Sequence, residues 1–228
     1  MLVIGDSLEV GSGPYLRALL PGVVVDAEKG RTSSRGVRVL AARLSPAVQV
    51  IVFPLGTNDS PSNAGGLAAN LAAVRQLADD RCVVLATLSR PAVGGVSVAG
   101  LNAVIAQFAR RPAAQVADWR TVVKSIPSLL GGDRVHATGE GYSVRATLLA
   151  EAVQGCVVGR TAVGPSGIPA PRDPNARPPE TEEEPALELS LDPLAALARV
   201  ALRPIGAAFE AARTAATKAG PEPVLGAP

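Results

Sequence analysis

Five short aliphatic runs, regularly interleaved with helix-patterned stretches, constrain the fold of this chain more than any other feature. Leu2–Gly5, Val23–Asp26, Val48–Pro54, Cys82–Thr87 and Ala114–Asp118 are apolar almost throughout and bounded by turn residues, the pattern of strands buried on both faces. Pro14–Leu20, Ser34–Leu44, Ala64–Asp79 and Val98–Arg110 lie between them with helical periodicity. A last helix is expected over Thr138–Val153, with Thr138 as its N-cap and Glu140 in its first turn. Alternation of this kind predicts an α/β fold with a parallel sheet between two layers of helices. Right-handed crossovers then bring every loop that follows a strand to one edge, where open sheets bind ligands. Ser7, Gly30, Asn58 and Ser89 all fall on such loops. Apolar residues make up 47% of the 228 and aromatics only 3%, so the core should be built from Val, Leu, Ile and Ala.

The chain has one histidine, His136, so any imidazole chemistry passes through it. It stands in Asp133-Arg-Val-His136, while Gly5-Asp6-Ser7-Leu8 opens the chain and Gly56-Thr57-Asn58-Asp59 follows the third run. A serine hydroxyl is a poor nucleophile at neutral pH and needs an adjacent base. His136 is that base by elimination, and Asp133 on the same loop is placed to orient its ring. Ser7, Asp133 and His136 are therefore the candidate catalytic residues. The N–H of Ser7, near a helix N-terminus, and the side-chain amide of Asn58 are candidate donors to an oxyanion. Gly30 is a further candidate, since glycine lets a backbone N–H approach a ligand closely; taken alone it reads equally well as a turn glycine. Asp59 reads as structural.

Those four segments resemble the blocks of the SGNH superfamily, the GDSL-type esterases and lipases. Gly5-Asp6-Ser7-Leu8 matches the nucleophile block, Gly30 the glycine after the second strand, Gly56-Thr57-Asn58-Asp59 the third block, and Asp133-x-x-His136 the last, which Gly139-Glu-Gly141-Tyr142 continues. The resemblance covers roughly residues 1–156. It implies a three-layer α/β/α sandwich with a flavodoxin-like sheet of about five strands, ester hydrolysis through an acyl-enzyme on Ser7, and neither metal nor cofactor. One departure is Glu9, at a position more often polar and uncharged. It is expected to face away from the oxyanion.

Residues 1–156 carry 15 Lys and Arg against 11 Asp and Glu, and residues 157–228 carry 7 against 9. Neither part has the basic field of a nucleic-acid binder. No apolar run approaches the ~18 residues needed to span a bilayer. The opening Met-Leu-Val-Ile-Gly enters a strand without a charged leader, which reads as cytoplasmic unless the start is truncated. Cys82 and Cys156, with one histidine, are too few for a structural zinc site. They read either as two buried thiols or as one disulfide, the latter calling for an oxidising compartment.

From Val157 the composition changes, with 12 of the 20 prolines in the last 72 residues and an acidic cluster at Glu180–Glu184. The expected domains are a hydrolase domain over 1–156, a disordered Pro-rich acidic linker over 157–190, and a short helical or disordered tail over 191–228. The leading functional expectation is a serine esterase for small acyl groups. Short loops near Leu88–Gly95 and Arg120–Gly132, with Trp119 as their one aromatic neighbour, favour acetyl over long lipid chains. An acyltransferase to a sugar or cell-envelope hydroxyl would use the same acyl-enzyme, with the Pro-rich tail docking a protein or envelope partner. A non-catalytic module of the same fold is the third reading.

Overall fold

The computed structural model describes the backbone of residues 1–162 and side chains through residue 156. Among them, five parallel strands form one sheet in the order β2-β1-β3-β4-β5: β1 (Leu2–Gly5), β2 (Val24–Ala27), β3 (Val50–Val52), β4 (Cys82–Ala86) and β5 (Ala114–Ala117). The helices are α1 (Ser7–Leu19), α2 (Ser33–Arg43), α3 (Ala64–Ala78), α4 (Ala99–Ala109), α5 (Trp119–Ser125) and α6 (Gly139–Ala162), with a 3-10 turn at Pro127–Leu129. This is the expected doubly wound order of a flavodoxin-like sheet.

Strand alternation divides the core between two faces. Leu2, Ile4, Ile51, Phe53, Val83 and Leu85 pack with Leu40, Leu67, Leu71, Val74, Leu101 and Ile105 from α2, α3 and α4. Val3, Val50, Val52, Cys82 and Val84 face the other way, against Leu16 of α1 and Ala146, Leu149 and Val153 of α6. Both faces of β1, β3 and β4 are covered, which is why those runs are apolar throughout. Edge strands β2 and β5 are only partly buried, Val24 being 58% exposed.

β1 lies between β2 and β3, with Leu2 opposite both Val24 and Ile51. The chain leaves β1 into α1 on one face and leaves β3 toward α3 on the other, so a crevice opens above their carboxyl ends. Ser7 and Asn58 border it.

Cys82 and Cys156 are joined in a disulfide with a Cα–Cα distance of 5.8 Å, inside the span such bonds take. The bond ties the start of β4 to α6, at the sheet edge opposite the crevice. Three sequence expectations change. The first helix begins at Ser7 rather than Pro14. The supposed loop over Arg120–Gly132 contains α5 and the 3-10 turn, and Trp119 is buried at 1% exposure beneath the Arg145 guanidinium. Trp119 is thus core and lines no acyl pocket. Helix α6 runs to Ala162 instead of ending at Val153, since no proline interrupts the chain before Pro165. Beyond residue 162 the expected linker and tail lie outside the described residues. Among the described residues, no helix is long and apolar enough to cross a membrane.

Candidate active site

The turn from β1 into α1 is one residue long. Asp6 caps the helix: its Oδ1 accepts from the N–H of Leu8 at 2.8 Å, and Oε2 of Glu9 accepts from the N–H of Asp6 at 3.1 Å. This reciprocal capping box fixes where the helix starts and makes Ser7 its first residue. The Ser7 N–H therefore has no acceptor within its own helix and sits at the positive end of the helix dipole. Gly5 is required by the box, since a Cβ there would overlap the Glu9 side chain.

His136 comes from a tight reversal before α6. The N–H of Gly131 donates to the His136 carbonyl at 2.7 Å, and Leu130 bridges to Ala137. Asp133 folds back within it, its Oδ1 accepting from the N–H groups of Val135 and His136, each at 3.0 Å. Its Oδ2 lies 2.6 Å from His136 Nδ1, and His136 Nε2 lies 3.0 Å from Ser7 Oγ. Acid, imidazole and hydroxyl are thus in line although Ser7 and His136 are 129 residues apart. The arrangement sits at the surface, with the Asp133 and His136 side chains 52% and 49% exposed. The hydrogen bond to His136, then those from Val135 and His136 N–H, hold the Asp133 carboxyl down at about 2. It is therefore ionised throughout the neutral range.

Asn58 lies beside this line. Its side-chain amide donates to Asp6 Oδ2 at 3.1 Å and to the Arg31 carbonyl at 3.2 Å, so both amide protons already have acceptors. Gly30 lies in the exposed turn after β2 at φ +73°, with open space where a Cβ would project. It is glycine because of its backbone conformation and not because of crowding. Asp59 accepts from the Ser33 N–H at 2.8 Å and from the Ser33 hydroxyl. It links the Asn58 loop to the N-terminus of α2 and touches neither Ser7 nor His136. Arg90 donates to the carbonyls of Thr57 and Asp59, clamping the same loop from the β4 side.

Three buried residues, Asp6, Glu9 and Arg145, complete the site's support, and Arg145 has no signal in the sequence. Glu9, fully buried, receives Nε and Nη2 of Arg145 on Oε1 at 2.9 and 2.7 Å. Its charge is neutralised inside the protein, between α1 and α6. Asp6, also fully buried, has its carboxyl pushed up to about 7 by burial and then by the negative charge of Glu9. The Asp6-x-x-Glu9 capping-box spacing is a signal that the expected start at Pro14 passed over; Arg145, 136 positions from its partner, had no local mark. Among the described residues, no group of three or more His, Cys, Asp or Glu could hold a metal ion.

No family model and no curated protein matches the sequence. Solved structures do match. The C-terminal catalytic domain of peptidoglycan O-acetyltransferase A from Streptococcus pneumoniae is similar at TM-score 0.60 and 22% identity, over 69% of this chain and 93% of that one. A protein assigned to the SGNH hydrolases, from Slackia heliotrinireducens, is similar at TM-score 0.55 and 22% identity, over 67% and 97%. The esterase EstA from Pseudoalteromonas sp. is similar at TM-score 0.58 and 14% identity, over 69% and 97%. Sheet order, helix placement and these matches agree: the chain has the fold of the SGNH hydrolases.

Proposed function

We propose that the chain is a metal-independent serine esterase that cleaves carboxylic esters of small acyl groups. The single observation that carries this reading is the continuous contact from Asp133 through His136 to Ser7, at 2.6 and 3.0 Å. Ser7 Oγ attacks the ester carbonyl while His136 Nε2 takes its proton. Asp133 holds Nδ1–H and stabilises the imidazolium. The carbonyl oxygen becomes an oxyanion at the N-terminus of α1, where the Ser7 N–H receives it, with Gly30 on the neighbouring turn as a second backbone donor. Asn58 joins by turning one amide proton from Arg31 carbonyl or Asp6 carboxyl onto the stronger negative charge. His136 next protonates the departing alcohol, and water, activated by the same ring, releases the acid from Ser7.

A fluorophosphonate probe tests the assignment, in keeping with the monoethylphosphonate named for EstA. Stoichiometric labelling that disappears in Ser7→Ala is expected; equal labelling of that variant removes Ser7 as nucleophile. A nitrophenyl ester series from acetate to palmitate tests acyl size, with turnover expected to fall as the chain lengthens.

The second reading is acyl transfer to a sugar or cell-envelope hydroxyl through the same acyl-enzyme. The likeness to an O-acetyltransferase domain favours it, as does a half-exposed His136 that an acceptor alcohol can approach. Product analysis with an acyl donor, with and without a glycan acceptor, separates the two; release of free acid alone counts against transfer. A protein that turns over no ester, and whose biological role survives Ser7→Ala, is the non-catalytic module instead.

A further inference from the structure

Beside the loop that carries His136 lies a groove of ≈ 450 Å³ lined by Arg90, Val123, Lys124, Pro127, Leu130 and Arg134. It joins the site on two sides. Leu130 bridges to Ala137, next to His136, and Arg134 stands two residues before His136. On the other side Arg90 holds the carbonyls of Thr57 and Asp59, which flank Asn58. Its lining combines the apolar Val123, Pro127 and Leu130 with the cationic Arg90, Lys124 and Arg134. Arg90 is committed to its clamp, but Lys124 and Arg134 are exposed and make no side-chain hydrogen bond or ion pair among the described residues. Asp133, the acid nearest to Arg134 in sequence, is turned onto His136.

A second basic cavity, of ≈ 360 Å³ on α2, makes the contrast. There Arg31 and Arg43 both pair with Asp26, at 2.7 and 3.0 Å, and Arg35 pairs with Glu28 at 2.9 Å. Three of its four arginines are thus tied to acids of the protein itself, Arg38 being the exception. The groove beside the His136 loop has Lys124 and Arg134 without an acidic partner among the described residues, together with the apolar Val123, Pro127 and Leu130.

We propose that this groove binds the alcohol portion of the ester and selects alcohols that carry an anionic group, carboxylate or phosphate, on a small apolar body. The side follows from the chemistry: His136 delivers its proton to the leaving oxygen, and the groove begins on the His136 loop. Lys124 and Arg134 meet the anion, while Val123, Pro127 and Leu130 cover the apolar stem. This assignment rests on the esterase reading above and names the substrate class for that same serine.

Three matched acetyl esters test it on the full-length protein: methyl 4-acetoxybenzoate, 4-acetoxybenzoate and 4-acetoxyphenyl phosphate. The quantity read is the ratio of kcat/KM for each anionic ester to that for the neutral one, at low salt. The native protein should favour the anions by about fivefold or more, the yield of two exposed charge contacts, and added salt should erode the preference. Lys124→Gln with Arg134→Gln should bring the ratio close to that of uncatalysed hydrolysis, and the two arms show which anion is preferred. A native ratio equal to the uncatalysed one, or a ratio unchanged by the double substitution, overturns the groove assignment while leaving Ser7 intact. Absence of Ser7-dependent turnover on any ester overturns the esterase reading instead. The groove is then judged by calorimetric titration of Ser7→Ala protein with 4-hydroxybenzoate and phenyl phosphate. Binding that the double substitution abolishes supports it, and no binding, or binding the substitution leaves alone, ends it.

Discussion

Arg145 donates two hydrogen bonds to a single oxygen of Glu9, at 2.9 and 2.7 Å, with both side chains essentially without solvent contact. The same carboxylate, through its other oxygen, holds the N–H of Asp6. One buried pair therefore connects the turn that presents Ser7 to the helix that follows His136. Removing one partner strands the other charge in the interior, at a cost of roughly 3–5 kcal/mol. Arg145→Met should lose that much in denaturant unfolding. Glu9→Gln keeps the capping-box hydrogen bond and should lose a similar amount from charge alone, while the double variant recovers most of the loss. Single variants within about 1 kcal/mol of the parent would mean that solvent reaches the pair.

Ser7, His136 and Asp133 should act as one unit. Ser7→Ala and His136→Ala are each expected to lower kcat by roughly 10⁴-fold or more, and the double variant no further. Asp133→Asn keeps the loop's shape but presents the wrong group to Nδ1, so kcat falls while KM changes little. Steady-state kinetics on a nitrophenyl acetate check all three. Additive losses in the double variant would mean that the two residues work independently.

Asp6 gives the fold a pH signature. A solvated aspartate titrates near 3.8 and the buried Asp6 at about 7, so the folded chain holds the proton more tightly than the unfolded one. Its contribution to stability is complete below about 3.8 and is lost as pH rises through about 7. Asp133 has the opposite sign: held at about 2, it stabilises above 3.8 and loses that effect only in strong acid. Unfolding free energies measured between about pH 4 and 8 should decline toward the alkaline end, and Asp6→Asn should flatten the decline. Parallel profiles for parent and variant would remove Asp6 as its source.

The Cys82–Cys156 bond closes a separation of 74 residues, worth on the order of 4 kcal/mol through restriction of the unfolded chain. Reduction, or Cys82→Ala with Cys156→Ala, should lower Tm. The folded fraction should keep its turnover, because the bond lies at the sheet edge away from Ser7. We also infer that the protein works in an oxidising compartment, where such bonds persist, against the cytoplasmic expectation from its opening residues. Protein trapped with a thiol-blocking reagent straight from its native cells should contain no free thiol; two blocked cysteines would place it in a reducing one.

The sheet was legible because β1, β3 and β4 are buried on both faces, which leaves an unbroken apolar run in the sequence. β1 keeps its expected bounds and β4 ends one residue early, while β3 shrinks at both ends, from the mostly apolar Val48–Pro54 to Val50–Val52. The start of α1 was hidden by Gly11, Gly13 and Pro14, which dilute any helical pattern. Gly11 has its own reason, since a Cβ there would run into the Tyr142 ring. Helix α5 is seven residues long, with Thr121, Val122 and Val123 at its centre, and such β-branched runs carry little helical signal. Asp133 and His136 were readable because they stand three positions apart. Arg145 was not, because its partner is far off along the chain and only the packing of α1 on α6 brings them together.

The sulfur bridge also changes what a cut chain would be. Every peptide bond from Val83 to Gly155 lies inside the ring it closes, including those of the solvent-facing Val93-Gly94-Gly95-Val96 turn. A protease that nicks this turn releases nothing: the piece bearing Ser7 and the piece bearing His136 stay covalently joined. Nucleophile and base would part only when a reductant follows the blade.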